Sequence, residues 1–571
     1  MDDNSNRTAL AVLLSFMVIF FYYRQQDLKR TEVHTTPQQQ TSTTLPSQHP
    51  AAPSPFEVPP QPEIETTQLK QPEIKHFLES SKTVVKTANV EVEISHLGAR
   101  LISYKLNHYK TTVKGTDPLN MIDKDNPIPP LGVYFGNIND STAQYTLSSY
   151  TDGVQQSGGV FTLQGDQKLS LNFTATLSNG AVITKTLIFS NTNYYFNVNV
   201  EVSSSTENIS NIWLEWTSFI PEGTKEENWN QKVYTLFSQD EDREIVTIRS
   251  LQPNFKTYMT KWSAFGDNYF LNAIIPTIQG QNTMLAARSG SGTLLFNRVA
   301  GDKGSAQFDI YAGPKRVDTL SVKPYKLESS IDLGRLAFIG QPILLILKLF
   351  YELLGNYGLA IVLLTLIIKT LLLPLNAKSF QSMRAMQDLK PEMDALRARI
   401  QDPNQLNQEV LALYKRKGVN PMGGCLPMLI QLPIFLGMYN ALRTSFDLRH
   451  EPFTLWIDDL AAPESLPIFG INVPVMILVM GVTMFIQQLT TPSAGASPEQ
   501  RKVMLFMPIM FTVMFLIWPF PSGLVLYWLV NNFISIIQQV ALRSEGKITP
   551  LQITFVGSAA IFGLCYVLTL L

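Results

Sequence analysis

The sequence has few of the residues that catalysis, metal binding or disulfide formation would require. It contains only two cysteines, Cys425 and Cys565, and both lie inside apolar runs, so a disulfide framework is not expected. Its six histidines are not spaced as metal ligands, either with each other or with a cysteine. The nucleotide-binding motif G-x-x-x-x-G-K, the zinc-protease motif H-E-x-x-H and the hydrolase motif G-x-S-x-G are absent. We therefore expect no catalytic residue, no metal and no cofactor.

The charge also lacks an excess of either sign. Lysine and arginine number 45 and the acidic residues 46, which gives a net charge of -1 and no basic field that would attract nucleic acid. The chain has 571 residues, and one hydrophobic core rarely grows beyond about 250–300 residues, so several domains are expected. These averages conceal a strong segregation, because polar and apolar residues alternate in long blocks along the chain.

The first 80 residues divide into an apolar run and a polar segment. Residues 8–23 are apolar and end in four aromatic side chains, with no A-x-A-like cleavage site behind them. Aromatic residues favour the membrane interface, so we predict a retained transmembrane anchor rather than a cleaved signal peptide, with residues 1–7 in the cytoplasm. Residues 24–80 are rich in Pro, Gln and Thr and have few large apolar side chains, which predicts a linker.

A long segment of period-two alternation follows the linker, over residues 81–325. Val90, Val92 and Ile94, for example, alternate with glutamates, and short turn signals such as Gly158-Gly159 separate one run from the next. Many short alternating strands without intervening helical patterns predict a large antiparallel β-sandwich.

The remainder of the chain is a series of apolar runs close to the roughly 20 residues that cross a bilayer. We predict a core of five spanning helices, at residues 357–375, 421–444, 471–490, 503–520 and 523–543. Residues 331–353 contain Pro342, Lys348 and Glu352, which favours an interfacial amphipathic helix; a short spanning helix is the alternative. A final run, residues 551–571, has no charged residue and is a possible additional span.

The charges of the loops give an orientation for this core. Residues 376–420 and 491–502 are basic, whereas residues 445–470 are mainly acidic. Positively charged loops stay in the cytoplasm, so the first two loops are predicted inside and the third outside. The β-sandwich is then outside and the N-terminus inside, although the basic residues that follow the first anchor favour the reverse.

The basic loop at residues 376–420 also has a helical period. Its apolar residues, including Met383, Met386 and Met393, recur every three or four positions on both sides of a turn near Pro403. This pattern predicts an antiparallel helical hairpin in the cytoplasm. Two interpretations stay open: a self-packed surface hairpin, or a docking or gating element whose methionines adapt to apolar partners.

Lys369 is the most informative residue, because it lies within the apolar run that ends at Pro374. An ammonium in the hydrocarbon layer costs several kcal/mol, starting at about 2.5–3.5 kcal/mol on insertion scales. Lys369 is about seven residues, or roughly 10 Å of helix, from the predicted cytoplasmic end. Its long side chain could therefore reach the inner headgroups, and this snorkelling is the alternative to a functional role.

Further polar residues share helical faces with Lys369 or lie opposite it. Thr365 is one turn earlier on the same face, and Gln431 lies near the start of the second predicted core span. The last core span carries a polar stripe at spacings of four, four and three, formed by Tyr527, Asn531, Ser535 and Gln538. Hydrogen bonds between helices would explain each residue singly. No Asp or Glu within these spans neutralises Lys369, however, which favours a hydrated cavity in which a charged Lys369 attracts acidic residues of a passing chain.

Three motifs at this end of the chain resemble the YidC membrane insertase family, in its Gram-negative form with a large periplasmic domain. Residues 419–435, VNPMGGCLPMLIQLPIF, resemble the family's signature leading into its third span. Phe506-Met507-Pro508 and residues 521–528, PSGLVLYW, resemble its fifth and sixth spans. The resemblance covers the chain to about residue 544, including the anchor and the β domain.

This resemblance implies a five-helix core around a water-filled groove that opens to the cytoplasm and to lipid and is closed toward the periplasm. The family usually keeps an arginine in the groove, at the position of Lys369. Thr365, Gln431, Ser535 and Trp528 fall on positions associated with the groove or with substrate contact. The implied function is insertion and folding of newly made proteins in the bacterial inner membrane, alone or with the Sec translocon. The implied partners are nascent membrane proteins, the Sec translocon, the ribosome and the bilayer, with no specific nucleic acid.

The chain departs from the family pattern at two places. Lys369 supplies a point charge but lacks the planar fork of arginine, which puts the substrate preference in doubt. The apolar run at residues 551–571 replaces the usual basic tail that aids ribosome contact, so this contact would be weaker if the run spans the membrane. A transporter or channel is the alternative function, although no internal repeat supports it. A carbohydrate-binding β-sandwich on a membrane anchor is a third interpretation.

Overall fold

The computed structural model describes twelve segments of the chain: residues 74–203, 211–222, 232–238, 240–251, 253–278, 281–290, 292–334, 336–420, 426–491, 498–518, 520–543 and 550–570. The predicted anchor at residues 8–23, the predicted cytoplasmic N-terminus and most of the predicted linker lie outside these segments.

The end of the predicted linker differs from expectation, because it forms helix α1 (Ile74–Glu79). Phe77 in this helix is buried against the β domain, and its carbonyl accepts a hydrogen bond from Ser95 Oγ at 2.8 Å. One aromatic side chain in a polar stretch has no periodicity, so the sequence pattern gave no sign that this segment packs.

The β domain consists of short strands in chain order. Their bounds are β1 (Lys82–Lys86), β2 (Val90–Ser95), β3 (Arg100–Lys110), β4 (Pro118–Asn120), β5 (Gly132–Phe135), β6 (Ile138–Asn139), β7 (Thr146–Tyr150), β8 (Gln155–Ser157), β9 (Val160–Thr162), β10 (Lys168–Thr176), β11 (Val182–Ser190), β12 (Tyr195–Ser203), β13 (Asn211–Pro221), β14 (Val233–Ser238), β15 (Arg243–Thr247), β16 (Lys256–Gly266), β17 (Phe270–Pro276), β18 (Gln281–Ser289), β19 (Gly292–Lys303) and β20 (Ser305–Pro314). A 3-10 turn, Ile248–Ser250, follows β15.

These strands form two sheets around a shared apolar core. The smaller sheet has the order β4-β3-β2-β1-β9-β8, and the larger has the order β6-β5-β13-β19-β18-β16-β17-β20-β12-β11-β10-β7, with β14 and β15 joined to it through β16. Successive side chains of a strand point to opposite faces of the sheet. In β10, for example, Leu169, Leu171 and Phe173 are buried, while the residues between them are half-buried. The prediction of a large β domain is thus confirmed.

One strand pairing departs from the antiparallel pattern. Strands β1 and β9 are parallel, with Val84 opposite Val160. The period of two in a sequence identifies a strand and its buried face, but it carries no information about the direction of the neighbouring strand.

The two sheets are also joined by a buried charge cluster, which the sequence analysis did not find. The Asp140 carboxylate pairs with Lys185 Nζ at 2.5 Å and with Arg100 at 3.4 Å, and all three side chains are fully buried. Tyr145 donates its hydroxyl to the same carboxylate, at 3.0 Å. Burial lowers the pKa of Lys185 to about 8. Arg100 belongs to β3 and Lys185 to β11, so this cluster ties the smaller sheet to the larger.

After the β domain the chain is helical, which confirms the predicted fold class of a β-rich domain followed by an apolar helical region. The bounds are α2 (Val317–Leu320), α3 (Ala337–Leu354), α4 (Tyr357–Leu371), α5 (Leu373–Asp388), α6 (Lys390–Arg399), α7 (Pro403–Arg416), α8 (Leu426–Thr444), α9 (Val475–Thr490), α10 (Pro498–Ile517), α11 (Ser522–Arg543) and α12 (Pro550–Leu570), with 3-10 turns at Leu327–Ser330 and Phe446–Leu448. A hairpin, β21 (Leu466–Ile468) and β22 (Ile471–Val473), separates α8 from α9.

Several of these helices are long and apolar enough to cross a membrane. In the described part of the chain, α3, residues Ser522–Leu542 and residues Leu551–Leu570 meet this condition singly, and α4 and α5 meet it together as a pair bent by 56°. Helix α9 and residues Met504–Ile517 are apolar but shorter.

The bend between α4 and α5 ends the first core helix earlier than the sequence predicts. The predicted span continues to residue 375, whereas α4 ends at Leu371 and α5 begins at Leu373. Pro374 is at the first turn of α5, where its missing N–H is tolerated, but it cannot continue α4 without loss of a helical hydrogen bond.

Helices α6 and α7 lie side by side in the region predicted as a cytoplasmic hairpin. Their contact is apolar and includes Met393, Leu413 and Tyr414. Met386, near the end of α5, is buried in the same cluster, and Met383 of α5 packs at its edge. The Tyr414 hydroxyl lies 3.2 Å from the sulfur of Met393. Two of the three methionines therefore face the interior of the hairpin.

Candidate functional site

Lys369 lies in the last turn of α4, a helix whose first turn is capped by the Asn356 side chain. The Lys369 side chain is only 5% exposed, and its ammonium donates a hydrogen bond to Ser535 Oγ at 2.8 Å. Ser535 Oγ in turn donates to the Asn531 carbonyl one helical turn earlier in α11. Among the described residues, no carboxylate forms an ion pair with this ammonium. The predicted cation is therefore present between two helices without a counter-charge there.

The break after α4 supplies the next contact. Because the chain bends at Leu372, the carbonyl of Lys369 has no partner further along its own helix. Gln538 of α11 donates to this carbonyl from its side-chain amide at 3.3 Å, and Asn376 of α5 donates to the Gln538 side-chain oxygen at 3.1 Å. Asn376 was not predicted as a site residue, since its role depends on a bend that the apolar pattern does not reveal.

A third helix joins through Gln431 of α8. Its side-chain amide donates to the Asn531 side-chain oxygen at 2.9 Å, which connects α8 to α11. Lys369, Asn376, Gln431, Asn531, Ser535 and Gln538 thus form one chain of polar contacts between α4, α5, α8 and α11, which we call the polar seam.

Two other predicted site residues, Thr365 and Trp528, lie outside the polar seam. Thr365 donates its hydroxyl to the Ile361 carbonyl of its own helix, at 2.7 Å. Trp528 packs among aromatic rings, with Phe435 at 4.6 Å and Phe515 at 5.6 Å between ring centroids. Tyr527 is buried in the core of the helical region, and its hydroxyl contacts the side chain of Gln431, a member of the polar seam. The hairpin methionines belong to a separate cluster.

Most side chains of the seam are almost completely enclosed. Ser535 is 7% exposed and Gln538 2%, because each polar side chain pairs with a neighbouring helix. The groove and its residues remain predictions.

Two polar residues on another face of α11 escaped the sequence analysis. Asn532 donates to Thr483 Oγ1 of α9 at 3.2 Å, and Gln539 bonds the hydroxyls of Thr490 and Thr491. Both residues stand out as polar in an apolar run, but they do not continue the stripe that begins at Tyr527.

Comparison with known proteins adds an independent line of evidence. A family model described as "60Kd inner membrane protein" matches residues 349–549, and one described as "YidC periplasmic domain" matches residues 82–346. "Membrane protein insertase YidC" of Syntrophobacter fumaroxidans is 37% identical over 465 residues, which are 77% of this chain and 82% of that protein. The Geobacter sulfurreducens protein of the same name is 35% identical over 482 residues, or 79% and 84% of the two chains.

A solved structure of an active YidC insertase also matches, over 80% of this chain and 91% of that one, with 19% identity and a TM-score of 0.35. The sequence relatives carry the assignment, because they exceed 30% identity over more than two thirds of their length. The two matched regions cover the β domain and the helical region in turn, and they agree with an inner-membrane protein that has a periplasmic domain. The chain belongs to the YidC family of membrane protein insertases.

Proposed function

We propose that this chain inserts newly made hydrophobic segments into the inner membrane and helps them fold, without a nucleotide or another cofactor. The observation that carries this proposal is the buried ammonium of Lys369, which has a hydroxyl partner but no carboxylate partner among the described residues. The family's shared name, membrane protein insertase, supports the same function.

The Lys369 ammonium can donate further hydrogen bonds to an incoming chain. It carries three N–H donors, and Ser535 is the one side-chain acceptor found for it in the described segments. A cation within an apolar helix is costly unless water or an anion reaches it. A carboxylate or a peptide carbonyl of a substrate would therefore be attracted to Lys369 once the polar seam opens.

Opening the seam costs little compared with the gain from insertion. A seam contact between neutral groups contributes about 0.5–1.5 kcal/mol net, and the charge-assisted contact of Lys369 with Ser535 contributes about 1.5–3 kcal/mol. Moving an apolar segment out of water gains about 25 cal/mol per Å² of buried surface, which is many times larger for a helix that spans the membrane. We propose that the hydrophilic end of the substrate enters between α4, α8 and α11 while its apolar segment slides along the lipid-facing surface.

The partners follow from this arrangement and from the family. Nascent membrane proteins and the bilayer are required by the function itself. We further propose the Sec translocon and the ribosome as partners, with the basic segment of α5, α6 and α7 on the cytoplasmic side as the ribosome-facing surface. Helix α3 presents an exposed apolar face, which includes Phe338, Leu345, Leu349 and Leu353, and we propose that this face lies in the outer leaflet.

The test compares charge variants at one position. Lys369→Met should slow insertion of a substrate with an acidic translocated tail about tenfold, since a charge-assisted hydrogen bond contributes about 1.5–3 kcal/mol. Lys369→Glu should slow it further, and Lys369→Arg should leave it nearly unchanged. Insertion is measured by protease protection of the translocated tail in vesicles that contain the purified protein.

Thr370→Ala is the matched control, because Thr370 is adjacent to Lys369 and bonds the Leu366 carbonyl of its own helix at 2.8 Å. A substrate with an uncharged tail provides the second control and should be much less sensitive to these variants, because it lacks the carboxylates that Lys369 attracts most strongly. Equal insertion of the acidic tail by the Lys369→Glu variant and the unmodified chain would contradict the proposal.

A further inference from the structure

The hairpin of β21 and β22 ends in an apolar tip that is largely exposed. Ile468 pairs with Ile471, so Phe469 and Gly470 form a two-residue turn. The Phe469 side chain is fully exposed, and Ile471 is 68% exposed. A fully exposed phenylalanine beside an exposed isoleucine is unusual for a loop surrounded by water.

The backbone of this turn makes the phenylalanine more unusual still. Phe469 has a φ of 50° and Gly470 a φ of 79°, so both residues are left-handed, as in a type I′ turn. Such turns favour Asn or Asp followed by Gly, because a larger side chain strains the left-handed backbone. The turn geometry therefore does not explain the phenylalanine, and a gain elsewhere must compensate for the strain.

The hairpin is held at the start of a predicted spanning helix. Glu464, which precedes β21, accepts hydrogen bonds through one carboxylate oxygen from the N–H groups of Met476 and Ile477, at 2.6 and 3.4 Å. Its other oxygen accepts from the Trp456 ring N–H at 2.9 Å. This carboxylate caps the first turn of α9 and fixes the base of the hairpin against it.

The length of α9 places the hairpin at the level of the outer leaflet. The helix has 16 residues and is about 24 Å long, which is less than the roughly 30 Å of a bilayer core. Residues 465–474, which precede it, carry no charge. The outward side chains of α9, including Leu478, Val479 and Val482, are exposed and apolar. The hairpin therefore extends the apolar surface of α9, and no charged residue lies between the two.

We propose that the Phe469 hairpin is a lipid anchor that inserts the Phe469 and Ile471 side chains at the headgroup–acyl boundary of the outer leaflet. Lipid fits better than a protein partner, because the tip has no charge and is continuous with the lipid-facing surface of α9. Apolar side chains at this boundary lie about 5–10 Å deep. The anchor fixes the depth of the short helix α9, and it requires only that α9 spans the membrane, not that the polar seam handles substrate.

The test uses the full chain in vesicles of phosphatidylcholine and phosphatidylglycerol. Cys425 and Cys565 are replaced by alanine, Phe469→Cys is introduced, and the new thiol is labelled with an environment-sensitive fluorophore. We expect a blue-shifted emission, quenching by lipids with a nitroxide near the headgroup, and loss of quenching by iodide. Tyr150→Cys is the control, an exposed aromatic position on edge strand β7 of the β domain, where iodide should quench.

A second variant separates lipid contact from turn stability. Phe469→Asn suits the left-handed backbone but removes the ring, so a label at Ile471→Cys should become accessible to iodide in this background. Quenching of the label at position 469 by iodide and not by lipid would overturn the proposal. Protection from both quenchers would also overturn it, since a protein surface rather than lipid would then cover the tip.

Discussion

At the scale of single residues, the carboxylate of Asp140 lies between two fully buried cations. It accepts from the Val133 N–H at 3.0 Å, from Tyr145 and from Arg100, and it pairs with Lys185. Removal of one member of such a cluster leaves uncompensated charge in the interior, which costs more than the cluster itself contributes.

We expect Asp140→Asn to destabilise the β domain by about 3–5 kcal/mol, because Arg100 and Lys185 would then share a buried site without an anion. The measurement is denaturant unfolding of the full chain, followed by tryptophan fluorescence. Glu93→Gln breaks a surface pair with Lys82 at 2.8 Å and should change the stability by about 0.5 kcal/mol or less. Similar losses from both variants would refute a special role for the buried cluster.

His450 gives the junction between the β domain and the helical region a pH dependence. Burial, assisted by neighbouring Arg449, lowers the pKa of His450 to about 4 even though the Asp459 carboxylate is 4.0 Å away. The folded chain therefore keeps this histidine neutral, while the unfolded chain binds a proton near pH 6.5. The contribution of the neutral His450 to the free energy of unfolding is therefore complete above about pH 6.5, and it is lost as the pH falls toward about 4.

His450→Asn should remove this part of the acid sensitivity, and asparagine tolerates the left-handed backbone at this position, where φ is 62°. The melting temperature is compared at about pH 7.5 and about pH 5, and the decrease should be smaller in the variant than in the unmodified chain. The exposed His108, changed to Asn, is the control and should preserve the full decrease. An unchanged decrease in the His450 variant would contradict the assignment.

The sequence could predict some members of the polar seam and not others, for a physical reason. Lys369, Gln431, Asn531, Ser535 and Gln538 are conspicuous because polar side chains are costly in apolar runs. Which of them touch depends on how the helices rotate and bend. The Gln538 contact arises from the break of α4 at Leu372, and Thr365, although on the same face as Lys369, satisfies its hydroxyl within its own helix.

At the scale of elements, α12 lies beyond the residues matched by the 60Kd inner membrane protein model, which end at residue 549. It packs against α4 and α11, and near its end the carbonyl of Leu568 accepts a hydrogen bond from Thr454 Oγ1 at 2.5 Å. Thr454 belongs to the loop at residues 445–470, which is predicted on the periplasmic side. Helix α11 also begins at this loop, since Ser522 bonds the Asp459 carbonyl. The two helices therefore run in opposite directions.

From this packing we expect the C-terminus to be periplasmic. Alkaline phosphatase, which is active only after export, should be active when fused after residue 571 and inactive when fused after residue 543. The shorter fusion is the matched control, because it ends at the predicted cytoplasmic end of α11. Activity of the shorter fusion together with inactivity of the longer one would show the opposite orientation, with the C-terminus in the cytoplasm.

Element types and faces were predictable along most of the described chain, because periods of two and of three to four reflect burial on one face. The ends of the elements, and which elements pair or pack together, were less predictable. The parallel pairing of β1 with β9 and the 56° bend before α5 both depend on contacts between distant segments. Helix α1 depends on one buried side chain, Phe77, and a single residue creates no period.

At the scale of the whole molecule, the β domain contacts the loop at residues 445–470, which is predicted to be periplasmic, rather than the polar seam. Arg449 of the loop donates to the Lys110 carbonyl at 2.8 Å, and Lys114 pairs with Asp458 at 2.6 Å. The ring of Phe446 lies 5.2 Å from that of Tyr109. Lys369 lies at the other end of α4 from Asn356, which contacts the same loop through the Phe453 carbonyl.

This separation predicts that the β domain is dispensable for insertion while α3 is not. Deletion of residues 81–325 removes the domain and its contacts with the loop, but it preserves α3, which packs on both α4 and α8. Such a variant should retain most of its insertion activity. A deletion extended to residue 354 also removes α3, and with it the support for two of the helices that form the seam, so activity should be lost although the five predicted core spans are intact. Both variants are compared by protease protection of an inserted substrate at equal amounts of protein in the vesicles. If the two deletions lose activity equally, the β domain itself takes part in insertion, and the function cannot be assigned to the helical region alone.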